Sequence, residues 1–257
     1  MQVSLTKRIM SRRTPMRLLI WLLIGLMLPW TSAVYAQRDT DAEIVTAEAH
    51  DGLTLVGEFY ASTNEPAPAV LLLHMLGSRR SAWQPLIPWL SDAGYNVLAV
   101  DLRGHGETQG AQDWPAAERD VETWLDWLGE QPSVMPDRIA IVGASIGANL
   151  ALNGCAFDER CITTVALSPG LDYRGVVTEP AVSDGLAERS ALLVASQRDA
   201  YSADSVKMLT TEASGELGLQ LYPGSAHGTA LLGAADAPVI PLILNWLAAH
   251  LAIDNTN

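Results

Sequence analysis

Short apolar runs recur along the chain at intervals that suit buried strands. Each run holds at least three Val, Ile or Leu residues and few charged ones: 69–74, 95–101, 139–142, 162–167 and 190–195. Strands that are apolar on both sides belong in a parallel sheet whose two faces are covered. A shorter segment, 218–222, predicts a last strand near the C-terminus.

Between these runs, apolar residues recur at the spacing of one helix face. Val121, Trp124, Leu125 and Leu128 show this period within the segment 114–128. The same pattern predicts helices over 81–93, 114–128, 148–153, 203–213 and 229–251, with a break in the last around Pro238 and Pro241. Residues 171–188 lack such a period and are expected to form a loop.

A hairpin is expected at the start of the structured chain. Two alternating segments, 43–49 and 53–60, flank the turn sequence His50-Asp51-Gly52. A short Asp-Gly link of this kind predicts antiparallel pairing. With the alternating strands and helices, it predicts an α/β fold: a mostly parallel sheet, helices on both faces, and an N-terminal antiparallel hairpin.

The first 36 residues have the pattern of an export signal. Basic residues between Lys7 and Arg17 precede the apolar stretch 18–28, and small residues follow up to Ala36. Cleavage after Ala36 would leave 37–257 as a single domain. The apolar stretch is short for a membrane span, so we expect a periplasmic or secreted protein without a stable span. A retained N-terminal anchor is the alternative, and the pair Arg12-Arg13 leaves the export route open.

The chain is acidic. It has 16 Lys and Arg residues, 29 Asp and Glu residues and a net charge of −13. The five charged residues before position 37 are all basic, so the mature chain keeps 11 basic residues and a net charge of about −18. This balance argues against binding nucleic acid or an anionic membrane surface. No spacing of metal ligands occurs, and neither a metal nor another cofactor is expected.

The two cysteines, Cys155 and Cys161, bracket five residues. In an exported protein a local disulfide is the expected state, and closing so short a loop would stabilise the fold by about 2 kcal/mol. Two buried free thiols are the alternative. Neither cysteine has the neighbouring histidine that a catalytic thiol needs.

The strongest chemical signal is Gly143-Ala-Ser145-Ile-Gly147. It follows the apolar run 139–142 directly and leads into the helical segment 148–153. A serine on so sharp a strand-to-helix turn is a nucleophile elbow, and the two glycines leave room around its strained backbone. Ser145 is therefore the predicted nucleophile.

A serine nucleophile needs a base, and the base needs a carboxylate. Among the five histidines, His227 lies in a loop after the last predicted strand, downstream of Ser145. Asp199 follows the strand 190–195, whereas its rival, Asp172, follows the preceding strand. Since the carboxyl ends of parallel strands share one edge of a sheet, we predict a triad of Ser145, Asp199 and His227.

Negative charge that develops on a carbonyl oxygen needs N–H donors. The amide of Ile146, directly after the nucleophile, is the first candidate. The second is expected in the loop His74–Ser78, where Leu76 is preferred and Met75 comes next.

These motifs and their order resemble the α/β-hydrolase superfamily, particularly its small lidless members of the bacterial esterase and dienelactone-hydrolase kind. The resemblance covers about residues 43–251 and rests on His-x-x-Gly-Ser at 74–78, Asp-x-Arg-Gly-His-Gly at 101–106, Gly-x-Ser-x-Gly at 143–147, the acid at 199 and Gly-x-x-His-Gly at 224–228. One departure is Met75, where the family commonly has glycine and where a side chain would narrow the acyl pocket. Another is the serine nucleophile, since dienelactone hydrolases proper use cysteine.

The resemblance implies the α/β-hydrolase fold and a serine hydrolase that cleaves small-molecule carboxylic esters through an acyl-enzyme. Few residues separate the strand 162–167 from Ser190, so no large cap is expected and the site should be open. A triad does not by itself choose the acyl group. A peptidase or amidase is therefore the first alternative, and a catalytically silent binding domain is the second. The sequence does not indicate an oligomeric state.

Overall fold

The computed structural model of the chain describes residues 42–187 and 189–251. Its strands are β1 (Ala42–Glu48), β2 (Thr54–Tyr60), β3 (Ala67–Leu73), β4 (Asn96–Asp101), β5 (Val134–Ala144), β6 (Cys161–Leu167), β7 (Asp172–Tyr173), β8 (Val176–Val177), β9 (Ser190–Ser196) and β10 (Glu216–Tyr222). Its α-helices are α1 (Ile87–Asp92), α2 (Trp114–Gly129), α3 (Ile146–Phe157), α4 (Ala200–Glu212) and α5 (Val239–His250). Short 3-10 turns cover Arg80–Trp83 and Gly228–Gly233.

Eight of the strands form one sheet in the order β1-β2-β4-β3-β5-β6-β9-β10. The pairs β1–β2 and β2–β4 are antiparallel, and the five remaining pairs are parallel. The N-terminal hairpin is therefore the antiparallel lead into a parallel sheet. This confirms the predicted α/β fold and, with the helices that cover it, the α/β-hydrolase architecture.

Successive side chains of the central strands point to opposite faces of the sheet, and each face has its own core. Ile139 and Ile141 of β5 face the core that α2, α3 and α4 cover, whereas Ala140 and Val142 face α1 and α5. All four side chains are buried. Burial on both faces explains why β5 has an apolar run rather than an alternating pattern.

The direction of chain winding reverses at β3. After β3 the chain adds β4 on one side and then crosses to place β5 on the other. In open parallel sheets, a crevice for ligands forms at the carboxyl ends of the strands where the winding reverses. The loop after β3 and the elbow after β5 therefore meet at this point.

Two sequence-based expectations need correction, and a third needs refinement. The segment 171–188 is not a plain loop, because it forms the β7–β8 hairpin and a single π-helical turn at Ala181–Gly185. The helix expected over 81–93 is divided into a 3-10 turn and the short α1. The last helix is interrupted as expected, but Pro241 lies in the first turn of α5, where a missing N–H costs nothing.

The predicted disulfide is present. Cys155, near the end of α3, is bonded to Cys161, the first residue of β6, with their Cα atoms 4.9 Å apart. It ties the helix that follows the elbow to the next strand of the sheet.

The predicted signal segment, residues 1–36, lies outside the described residues. Within the described ranges, none of the helices is both long and apolar enough to cross a membrane.

Candidate active site

Ser145 lies between the end of β5 and the start of α3, in a backbone conformation that L-residues rarely adopt. Its φ is 55° and its ψ is −120°, which costs on the order of 1–3 kcal/mol. Its N–H still donates to the carbonyl of Leu167 on β6 at 2.8 Å. The sheet therefore holds the strained residue in place while the chain turns into the helix.

The two glycines of the elbow are sterically required. A Cβ on Gly143 would lie 2.0 Å from the carbonyl oxygen of Gly147, and a Cβ on Gly147 would lie 2.3 Å from the carbonyl oxygen of Leu73. Both distances are far below van der Waals contact. Gly143 thus lets α3 start directly over β5, and Gly147 lets the helix pass against the end of β3.

His227 joins Ser145 and Asp199 in one chain of hydrogen bonds. Its Nε2 lies 2.8 Å from Ser145 Oγ and its Nδ1 lies 2.7 Å from Asp199 Oδ2. An ionised carboxylate only accepts, so Nδ1 carries the proton and Nε2 is free to accept from the serine hydroxyl. The structure thus brings together the three side chains predicted from separate strand ends.

Asp199 immediately precedes α4, but its carboxylate does not cap that helix and points to His227 instead. The loop that carries it is anchored to the next strand, because Gln197 N–H donates to Tyr222 O at 2.8 Å and Arg198 N–H to Gly224 O at 2.9 Å. These bonds keep the acid and the base loop side by side.

Asp172, the rival acid, is occupied elsewhere. Its Oδ1 accepts from Gly175 N–H at 2.7 Å within the tight β7–β8 turn, and the residue is exposed. Arg174 and Gly175 form the two-residue link between the paired Tyr173 and Val176, both with a positive φ, and a glycine in such a link is a typical hairpin signal. The structure therefore selects Asp199 as the partner of His227.

Two serines hold the residues on either side of His227. Ser196 Oγ, at the end of β9, donates to Ala226 O at 2.8 Å. Ser168 Oγ, just after β6, accepts from Gly228 N–H at 3.0 Å. The base is thus fixed by the ends of two further strands. Sequence reasoning did not find either serine, and their positions directly after apolar runs are the only signal they offer.

The loop after β3 is organised by His74, which is fully buried. Its Nε2 accepts from Leu102 N–H at 3.0 Å, so its Nδ1 carries the proton and donates to Met75 O at 2.8 Å. Burial lowers the pKa of His74 to about 4, which keeps the ring neutral. Because a trans peptide places C=O and N–H on opposite sides, the N–H of Leu76 points away from the His74 ring.

Met75 lies against the base loop. Its sulfur is 3.8 Å from Thr229 Oγ1, and it would lie only 2.8 Å from a Cβ on Gly228. The side chain that departs from the family pattern therefore fills space between the β3 loop and the residue after His227.

Tyr173, on the β7–β8 hairpin, is a neighbour of the triad that sequence reasoning missed. Its ring centroid is 6.4 Å from that of His227, with the planes at 88°. Burial raises the pKa of the Tyr173 phenol, the nearby Asp199 carboxylate raises it further, and the Ser145 hydroxyl lowers it. The phenol is therefore neutral and stands beside both ends of the triad.

No group of three or more His, Cys, Asp or Glu side chains in the described ranges has an arrangement that could hold a metal ion.

Two surface cavities lie apart from the triad. One of about 320 Å³ lies between α2 and α3, and one of about 510 Å³ lies beside α5.

Comparison with known sequences assigns the family. The profile of the Alpha/beta hydrolase family matches residues 70–252, and this range includes Ser145, Asp199 and His227. The chain belongs to the alpha/beta hydrolase family. This membership supports a hydrolase-like enzyme and agrees with the resemblance seen in the motifs.

Individual relatives are distant. The uncharacterised protein YfhR of Salmonella typhimurium is 29% identical over 161 residues, covering 57% of this chain and 55% of YfhR. The chain spans about half the length of the curated relatives it matches.

Among solved structures, the Pyrococcus furiosus esterase Pf2001 has a TM-score of 0.71 at 19% identity, covering 83% of this chain and 94% of that one. A dienelactone hydrolase from Anabaena variabilis has a TM-score of 0.68 at 19% identity, covering 82% and 98%. At this identity, the likeness is one of fold.

Proposed function

We propose that the protein is an exported serine hydrolase that cleaves carboxylic esters of small molecules through an acyl-enzyme. The observation that carries the proposal is the position of His227, whose two ring nitrogens lie 2.8 Å from Ser145 Oγ and 2.7 Å from Asp199 Oδ2. A nucleophile, a base and an orienting carboxylate in this order are what acyl transfer requires.

In the proposed reaction, Ser145 Oγ attacks the ester carbonyl while His227 Nε2 takes the hydroxyl proton. Asp199 keeps the Nδ1 tautomer and stabilises the imidazolium that forms. His227 then gives the proton to the alcohol oxygen, and the alcohol leaves. Water, activated by the same nitrogen, hydrolyses the acyl-enzyme and restores Ser145.

The oxyanion would be held by two amides. Ile146 is the first residue of α3, so its N–H is one of those that an α-helix leaves without an internal acceptor. The amide of Leu76 is the proposed second donor, since the His74–Met75 hydrogen bond turns it away from the buried ring. Preorganised donors of this kind are each worth roughly 10²- to 10³-fold in rate.

Export is proposed from the N-terminal pattern of residues 1–36 and is supported by the Cys155–Cys161 disulfide, which is typical of oxidising compartments. The solved structures with this fold include esterases and a dienelactone hydrolase. An ester is therefore the first substrate class to test.

The test compares p-nitrophenyl acetate with p-nitroacetanilide, its amide analogue. The mature protein should hydrolyse the ester, and Ser145→Ala should lower kcat by roughly 10⁵-fold or more without changing the melting temperature. Ser190→Ala is the matched control, because Ser190 is a buried serine at the opposite ends of the strands. Faster turnover of the amide would favour an amidase, and undiminished turnover by Ser145→Ala would exclude the triad.

A further inference from the structure

Tyr173, on the β7–β8 hairpin, lies beside His227, and Tyr201, in the first turn of α4, packs against Tyr173. Their position bears on which part of an ester the two rings meet. In the proposed reaction, on which this inference rests, His227 Nε2 must deliver a proton to the alcohol oxygen. The alcohol part of the substrate therefore lies on the side of His227. The oxyanion lies on the other side, toward the amides of Ile146 and Leu76.

Tyr173 stands on the alcohol side. Its ring is perpendicular to that of His227 at a centroid distance of 6.4 Å. Its hydroxyl shares a hydrogen bond of 3.0 Å with Ser202 Oγ and also donates to Ser168 O at 3.4 Å. Ser202 and Ser168 belong to the protein interior, and the Ser145 hydroxyl lies close to the same phenol oxygen, so this oxygen is engaged and the side chain is fixed.

Tyr201 continues the same surface outward. Its ring packs edge to face on Tyr173, with centroids 5.5 Å apart and planes at 67°, and 48% of the residue is exposed. Its hydroxyl accepts from Asp172 N–H at 3.0 Å and donates to Asp172 O at 2.9 Å. The second ring is thus pinned to the hairpin, only two residues after Asp199.

The hydroxyl groups of both tyrosines are used within the protein, so what the pair offers a substrate is ring surface. Two fixed aromatic rings beside the leaving group suit a flat, apolar partner more than a flexible alkyl chain or a polyol. We propose that Tyr173 and Tyr201 form an aromatic wall for the alcohol part of the substrate, and that the enzyme prefers esters of aromatic alcohols.

The experiment uses two pairs of esters that differ only in ring type. Benzyl acetate and cyclohexylmethyl acetate carry the ring on the alcohol, whereas methyl phenylacetate and methyl cyclohexylacetate carry it on the acyl group. We expect the wild-type protein to favour benzyl acetate over its saturated partner by ~2- to 10-fold in kcat/KM. The kcat/KM ratio within the acyl pair should not change when a tyrosine is substituted.

Tyr201 is half-exposed, so its variants should fold, which circular dichroism checks. In Tyr201→Leu, the ratio of kcat/KM for benzyl acetate to that for cyclohexylmethyl acetate should fall close to one. Tyr201→Phe keeps the ring and should retain the wild-type ratio. A wild-type ratio near one, an unchanged ratio in Tyr201→Leu, or a loss confined to the acyl pair would overturn the aromatic wall while leaving the esterase proposal intact. Failure of the wild-type protein to hydrolyse all four esters would overturn both.

Discussion

Two serines at neighbouring strand ends share the same unusual φ angle but have different surroundings. Ser145 follows β5 and Ser168 follows β6, and both have a φ of 55°. The N–H of each donates to the next strand of the sheet, at 2.8 Å to Leu167 O and at 2.7 Å to Val194 O. Both residues are buried. Backbone strain is therefore not what distinguishes the proposed nucleophile.

The hydroxyl groups differ in their partners. Ser145 Oγ faces the proton-accepting Nε2 of His227, whereas Ser168 Oγ accepts from the amide of Gly228. The chain that follows differs as well, since Ile146 starts α3, whereas the residues after Ser168 form no helix and lead into the β7–β8 hairpin. In the proposed reaction one of these serines is the nucleophile, whereas the other holds the loop that carries the base.

The comparison is tested most strongly by the acid that orients His227. Asp199→Asn should lower kcat for p-nitrophenyl acetate by roughly 10⁴-fold, because the amide disfavours the Nδ1–H tautomer that Ser145 needs. Asp172→Asn is the matched control, since the Asp172 carboxylate closes the β7–β8 turn, and this substitution should change kcat little. Equal losses in the two variants would show that His227 is not oriented by Asp199.

Acid should lower the stability of the fold through His74, the buried residue that organises the loop after β3. The pKa of His74 is about 4 in the folded protein and 6.5 as a free group, so only the unfolded chain takes up this proton between these values. The stability that this group contributes is therefore complete above pH 6.5 and falls as the pH drops toward 4. It amounts to roughly 3 kcal/mol of unfolding free energy.

Urea titrations at pH 7 and at pH 4.5 check this expectation. The free energy of unfolding should fall more steeply in the wild-type protein than in His74→Gln, which has no proton to take up. The activity of the refolded wild-type protein at pH 7 serves as the control for reversibility. An equal fall in the free energy of unfolding between the two pH values in both proteins would mean that His74 is not held neutral.

A smaller effect should come from Ser168 itself. Ser168→Ala leaves the amide of Gly228 without its acceptor, which costs about 1–3 kcal/mol in stability, and it frees the residue after His227. We expect kcat to fall several-fold. The loss should not exceed the roughly 10²-fold that a small misplacement of a catalytic group can cost. Ser190→Ala, which loses a buried hydroxyl far from the site, should lower stability without changing kcat. An unchanged kcat in Ser168→Ala would remove its positioning role.

Sequence patterns predicted much of this fold because its central strands are apolar on both faces, as the runs at 139–142 and 190–195 show. Ser145 was found because glycines flank it on a strand-to-helix turn. Ser168 was not, because its role depends on a contact with Gly228, 60 residues away. The hairpin that carries Tyr173 was also missed, since its strands have two residues each and are too short to show a period.

Fluorophosphonate labelling of the folded, mature protein, followed by peptide mapping, tests the central claim most directly. The reagent reacts with a serine that a neighbouring base activates, so it reads out the difference between the two strained serines. We expect one adduct, on Ser145, in both the wild-type protein and Ser168→Ala, and none in Ser145→Ala. An adduct on Ser168, or a folded wild-type protein that does not react, would contradict the account.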